Sequence, residues 1–179
     1  MNYYMDLEFY ENGVQIFLIS IAIVCEDGRE LYCENGQFDW DRVPKDHWTQ
    51  KNVRPHLLTD NLTRFTGVGR SHYEIAQGIE EFCLGIDDGA PVFYGYFSAY
   101  DWVAFCQIFG SMSDLPRGLP MFCMDLKQMM VERGLDSEWK QKHCPDPQDE
   151  HNALADARWN KKLHEHIMIH DANRNTFRP

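Results

Sequence analysis

NYYMDLEFYENGVQIFLISIAIVCEDGRELYCEN, residues 2–35, is the stretch that decides the fold. Three runs rich in Ile, Val, Phe and Tyr, from Asn2 to Phe9, Gln15 to Cys25 and Glu30 to Asn35, read as β-strands. Asn12-Gly13 and Asp27-Gly28 stand at the joints, and such dipeptides supply the positive φ that tight hairpins need. The chain therefore opens with an antiparallel meander. Inside its first strand, Asp6 and Glu8 are one residue apart, and alternate strand side chains share a face, so two carboxylates stand side by side. Such a pair ordinarily belongs to the solvated face of an antiparallel sheet. Here Tyr3, Tyr4 and Met5 precede it and Leu7, Phe9 and Tyr10 surround it, and carboxylates in apolar company are costly unless paired or metal-bound.

Outward from this meander the pattern weakens between Gly36 and Gly69, where Pro44 and Pro55 interrupt it and a short helix fits Asp46 to Val53. Ser71-x-x-Glu74 is a capping box, and Ile75, Ile79, Phe82 and Cys83 follow at helical spacing, which predicts a helix over His72 to Leu84. Pro91 to Tyr96 reads as a buried strand, and Tyr100 to Phe109 as a helix stopped by Gly110. A short strand at Met121 to Met124, a helix over Asp125 to Arg133 ended by Gly134, and a last helix from Asn152 to Ile169 complete the reading. A meander followed by strand–helix alternation predicts an α/β fold: a mixed sheet, the antiparallel three-strand meander plus parallel strands, flanked by helices. One domain over residues 1–171 and a loose tail over 172–179 are expected.

With 179 residues, 44% of them hydrophobic and 25% charged, the chain has the length and composition of one soluble globular domain. The longest apolar run, Ile16 to Cys25, is interrupted by Ser20 and falls well short of the roughly 20 residues a membrane span needs. No basic leader precedes it, and a cytoplasmic protein without membrane contact is expected. Six cysteines show no zinc spacing and fit reduced thiols. With Asp27-Gly28 as a two-residue turn, Cys25 faces Glu30, so no bridge to Cys33 follows. A net charge of −11 argues against coating nucleic acid through phosphate contacts, yet leaves room for an enzyme that grips a few nucleotides through metal ions.

Two further acids join the first pair. Asp101, in Ser98-Ala99-Tyr100-Asp101-Trp102-Val103, falls in the first turn of a helix, where a carboxylate is favoured in any case. Asp156 holds the same place in the last helix, five residues after His151. Asp6-x-Glu8, Asp101 and His151-x4-Asp156, in this order and over nearly the whole chain, resemble the DEDDh 3′-to-5′ exonucleases, which have the RNase H-like fold. Asp6-Leu7-Glu8-Phe9, Leu18-Ile19-Ser20-Ile21, Glu26-Asp27-Gly28-Arg29-Glu30, Ala99-Tyr100-Asp101 and Ala153-Leu154-Ala155-Asp156-Ala157-Arg158 look more closely like the bacterial polyadenylate-specific exoribonucleases of the RNase AS type. Where many DEDDh members carry small Thr and Gly after the Glu, this chain has Phe9, Tyr10 and Glu11, so those members' contacts to the terminal nucleotide do not carry over. Phe9 is left either as a core aromatic or as a platform for a base.

The resemblance implies hydrolysis of RNA from its 3′ end to nucleoside 5′-monophosphates with two Mg²⁺ or Mn²⁺ ions, a preference for adenylate-rich ends, and a homodimer. A DNA exonuclease of proofreading type and a catalytically silent nucleic-acid-binding protein on the same fold are the rival readings. Phosphodiester hydrolysis needs an activated water and charge neutralisation at the leaving oxygen, which two divalent cations roughly 4 Å apart provide. Hard cations prefer oxygen donors, which suits four acids and no thiolate. The resemblance implies that Asp6 bridges both metals, that Glu8 and Asp156 complete the coordination of the first metal, and that Asp101 holds the second through water. His151 has its own geometric constraint: five helical residues turn about 140°, so it shares no face with Asp156 on one helix and must stand in the loop or at the helix entry. An imidazole titrates near neutrality and suits a general base.

Overall fold

A computed structural model describes residues 1–58, 69–85 and 89–176, with side chains as far as Asn173. Six strands, β1 (Asn2–Glu11), β2 (Ile16–Cys25), β3 (Glu30–Asn35), β4 (Gly69–Arg70), β5 (Val92–Gly95) and β6 (Met124–Asp125), form one sheet in the order β4-β3-β2-β1-β5-β6. The meander β1-β2-β3 is antiparallel, and β4, β5 and β6 join it in parallel, as expected. The mixed sheet with flanking helices is an α/β fold consistent with an RNase H-like architecture.

Both hairpins are looser than their Asn-Gly and Asp-Gly dipeptides suggest. Glu11 pairs with Ile16, so four residues make the first loop, because Asn12 Oδ1 accepts the N–H groups of Val14 and Gln15 at 3.0 and 2.8 Å and holds both in a side-chain-closed turn. Val24 pairs with Glu30, and the Cys25 N–H donates to the Arg29 carbonyl at 2.8 Å, leaving Glu26-Asp27-Gly28 as a three-residue loop with Gly28 at φ 97°. Cys25 therefore lies opposite Arg29 and not Glu30; the conclusion about Cys33 is unaffected, since all six cysteines are free.

Six helices appear among the described residues: α1 (Trp48–Asn52), α2 (His72–Leu84), α3 (Ala99–Ile108), α4 (Leu126–Glu132), α5 (Ser137–His143) and α6 (Ala153–Thr176). The capping box forms, with Glu74 Oε2 accepting the Ser71 N–H at 2.8 Å. The expected helix over 46–53 shortens to α1, since the His47 imidazole caps the Thr49 N–H and fixes the start at Trp48, two residues later than expected. The strand expected over Met121 to Met124 shrinks to β6, whose only partner residues are Tyr94 and Gly95, and Asp125 is the N-cap of α4 and not its first residue. Helix α5 had no sequence expectation, and α6 continues through residues assigned to the tail, of which 177–179 lie outside the described residues.

Tyr3, Met5 and Leu7 on one face of β1 pack with Leu18, Ile21, Ile23 and Phe93 against Ile75 and Ile79 of α2 and Phe105 of α3. Tyr4 on the other face joins Ala22 and Val24 against Ala153 and Ala157 of α6. Alternation puts Asp6 and Glu8 on this second face, toward α6. Beyond Glu8, which pairs with Ser20, Phe9 pairs with Leu18, so Ile19 is an unpaired bulge residue that turns into a separate cluster with Tyr10, Val43 and Val53. No described helix is long and apolar enough to cross a membrane.

Candidate active site

The site grows from a divergence in the sheet. β5 pairs with β1 over Asn2 to Tyr4 only, and the backbone N–H of Leu7, three residues further on, donates instead to Asp101 Oδ1 at 3.1 Å. Asp101, in the first turn of α3, thereby fills the opening beside Asp6 and Glu8. From the opposite side α6 presents Asp156 in its own first turn, and one oxygen each of Asp6, Glu8 and Asp156 lies within 4.8 Å of the others. Asp101 stands outside that tightest trio, tied to the Leu7 amide, close enough for its charge to act on Asp6 and Glu8.

Burial disturbs all four acids, and neighbouring carboxylates add to it: site partners at Asp6 and Glu8, Asp125 and Asp156 at Asp101, and Glu150 and Asp146 at Asp156. Desolvation is the largest cause throughout: it drives Asp6 well above the ordinary aspartate range, with the charges of Asp101, Glu8 and Asp156 adding to it. Glu8 rises to about 8, through burial and then the charges of Asp156 and Asp101. Asp101 rises to about 7 despite the Leu7 hydrogen bond that favours its ionised form, and Asp156 to about 6 despite the amide of His151. Among the described residues no lysine or arginine pairs with any of the four. A cluster of hard oxygen donors that repel one another and have no cationic side chain is a donor set suited to divalent cations.

His151 precedes α6, as the helical geometry requires. Its backbone is left-handed at φ 69°, its N–H donates to Asp156 Oδ2 at 2.9 Å, and its ring meets that of Trp48 edge-on with centroids 4.5 Å apart. The imidazole lines a cleft of about 320 Å³ together with Asp6 and Asp156. Phe9 points to the other face of β1, half-buried against the apolar core, and its ring stacks on Tyr100 at 6.1 Å and 11°.

Three contributors escaped the sequence reading. Asn160, one helical turn after Asp156, lines the cleft and donates from Nδ2 to the Met5 carbonyl at 2.9 Å, bracing the strand beside Asp6; its spacing of four from Asp156 was the available signal. Asp125 accepts the Ser98 N–H at 2.8 Å and the Gln128 N–H at 2.9 Å, joining the start of α3 to the start of α4. Lys140 lies over the rings of Tyr96 and Trp159 at 5.5 and 5.2 Å, pairs with Asp146, and lines the same cleft as His151. Nothing in the spacing of Asp125 or Lys140 marked them.

Carboxylates and an imidazole meeting at one cleft fit a nuclease, and similarity to known proteins places the chain in that class. The chain belongs to the family described as 3′-5′ exoribonuclease Rv2179c-like domain, whose model matches residues 1–168. It is similar to the 3′-5′ exoribonuclease Rv2179c of Mycobacterium tuberculosis strain H37Rv, with 39% identity over 159 residues, 88% of each chain. It is equally similar, with the same identity and coverage, to the 3′-5′ exoribonuclease MT2234.1 of Mycobacterium tuberculosis strain CDC 1551.

Proposed function

We propose that this protein is a divalent-metal-dependent 3′-5′ exoribonuclease of the DEDDh type that releases nucleoside 5′-monophosphates and favours adenylate-rich 3′ ends. The observation that carries the reading is the approach of Asp6, Glu8 and Asp156 to within 4.8 Å beside Asp101, with no cationic partner among the described residues. The adenylate preference rests on the family resemblance alone.

Asp6, Glu8, Asp101 and Asp156 would hold two Mg²⁺ or Mn²⁺ ions, which when bound supply an activated water and charge neutralisation at the leaving oxygen. His151 takes a proton from the water that attacks the terminal phosphorus. The bond from phosphorus to the 3′-oxygen of the preceding nucleotide breaks, and that oxygen takes a proton from solvent. The Asp156 carboxylate both contributes a ligand atom and fixes the His151 backbone, so metal site and proton acceptor share one anchor. Asn160 holds the Met5 carbonyl and so the strand that carries Asp6.

Timed digestion of adenylate, uridylate and cytidylate oligomers beside a matched DNA oligomer, with and without EDTA, tests the assignment. Shortening of RNA that EDTA stops, fastest on adenylate, is the expected result. Faster loss of DNA, or digestion that persists in EDTA, would overturn it.

A further inference from the structure

We propose that a second pocket, lined from β2, α3 and the segment that follows β3, receives the base of a nucleotide upstream of the scissile bond; this rests on the exoribonuclease reading. The pocket encloses about 450 Å³, more than the catalytic cleft, and ample for a nucleobase. Its apolar lining includes Phe17, Leu18, Phe38 and Ala104. It adjoins the catalytic residues through two short links. Leu18 is the cross-strand partner of Phe9, the residue after Glu8, and Ala104 lies one helical turn from Tyr100, the residue before Asp101. Phe9 and Tyr100, each next in the chain to one of the four acids, stack on each other, and Tyr100 remains 53% exposed, an aromatic surface over which a strand could pass.

The polar groups at the pocket match the edges of a base. The Gln107 amide has no hydrogen-bond partner among the described residues. Gln37 accepts the His72 N–H through Oε1 at 3.4 Å, and its NH₂ group has no partner among the described residues. Side-chain amides offer a donor and an acceptor in one plane, the complement of a base edge. Arg42 lies over the Phe17 ring at 5.0 Å, and its contact with Asp39 is a half-exposed one at 3.5 Å, which water screens. Asp39 lines the same pocket, so the Arg42 guanidinium is offered there as a planar donor over an aromatic ring, suited to a base and the phosphate beside it, and not as part of a net positive patch.

The test compares Gln107→Ala, Arg42→Ala and the double variant on two substrates, an adenylate hexamer and the p-nitrophenyl ester of adenosine 5′-monophosphate, which has no upstream strand. KM for the hexamer should rise up to about tenfold per variant, the scale of one lost stacking or base contact, while turnover of the ester stays at the wild-type value. Unchanged hexamer KM, or equal slowing on both substrates, would refute the pocket. The hexamer's Kd by fluorescence anisotropy, on a His151→Ala background that keeps all four acids, separates the two readings. Weaker binding in the Gln107 and Arg42 variants supports the pocket even if the parent protein degrades nothing, whereas unaltered binding refutes it even if RNA is degraded.

Discussion

Four carboxylates whose proton affinities are raised by burial and by neighbouring carboxylates make the metal-free protein pH-sensitive in an unusual direction. In the unfolded chain these groups ionise near pH 4, while in the folded protein Glu8 holds its proton up to about 8, Asp101 to about 7 and Asp156 to about 6. Between those limits the native state binds more protons than the unfolded state, so stability falls as pH rises. The melting temperature in EDTA should therefore drop from pH 5 to pH 8, and Mn²⁺ should restore it most strongly at pH 8. A flat or rising profile in EDTA would contradict the coupling of these acids. Replacing Glu8 by Gln removes one repelling charge at constant shape; turnover should vanish while the metal-free melting temperature at pH 8 increases. Asp6→Ala or Asp156→Ala should likewise abolish turnover with the fold intact by circular dichroism. His151→Ala should lower kcat by about 10²- to 10⁴-fold, the usual contribution of a positioned base, with little change in metal affinity by calorimetry.

Secondary-structure elements bring these residues together through a few tight backbone contacts. At the end of β5, a Cβ on Gly95 would lie 2.8 Å from the Cβ of Ser98 and 3.4 Å from the Met5 carbonyl, and Ser98 immediately precedes α3 with Asp101 in its first turn. Since Ser98 Cβ is fixed to the backbone, Gly95→Ala must displace the start of α3; a loss of about 1–3 kcal/mol in urea unfolding, with reduced turnover, is expected. The sequence revealed those features whose physics is local. Strand alternation placed Asp6 and Glu8 on one face, the capping box started α2, and Gly110 and Gly134 adopt positive φ just beyond α3 and α4. Features set by tertiary pairing were hidden. Ile19 became a bulge through the register between two strands, Asp125 became a cap because β6 has only two sheet partners, and α5 spans too few residues to show a period. His151 lay between these cases: its spacing excluded the helix, but its left-handed backbone and the hydrogen bond to Asp156 came only with the fold.

Across the whole molecule, two layers of helix clamp one sheet, and the site lies where the sheet opens. Helices α2 and α3 cover the face of Tyr3 and Met5, α6 covers the face of Tyr4, and Asp101 and Asp156 reach the gap from these two sides. Helix α6 is fastened along its length: Tyr4 Oη and His164 Nδ1 are 2.9 Å apart, Asn160 holds Met5, and Arg158 grips Glu30 at 2.6 and 2.8 Å. Acids far apart in the chain are thus forced together at a free-energy cost that bound cations would offset. Anomalous scattering from crystals soaked in Mn²⁺ measures this directly. Two peaks roughly 4 Å apart, both in ligand contact with Asp6 and bounded by Glu8, Asp101 and Asp156, are predicted. Well-ordered crystals with no peak among these four side chains, or with manganese bound only elsewhere, would contradict it.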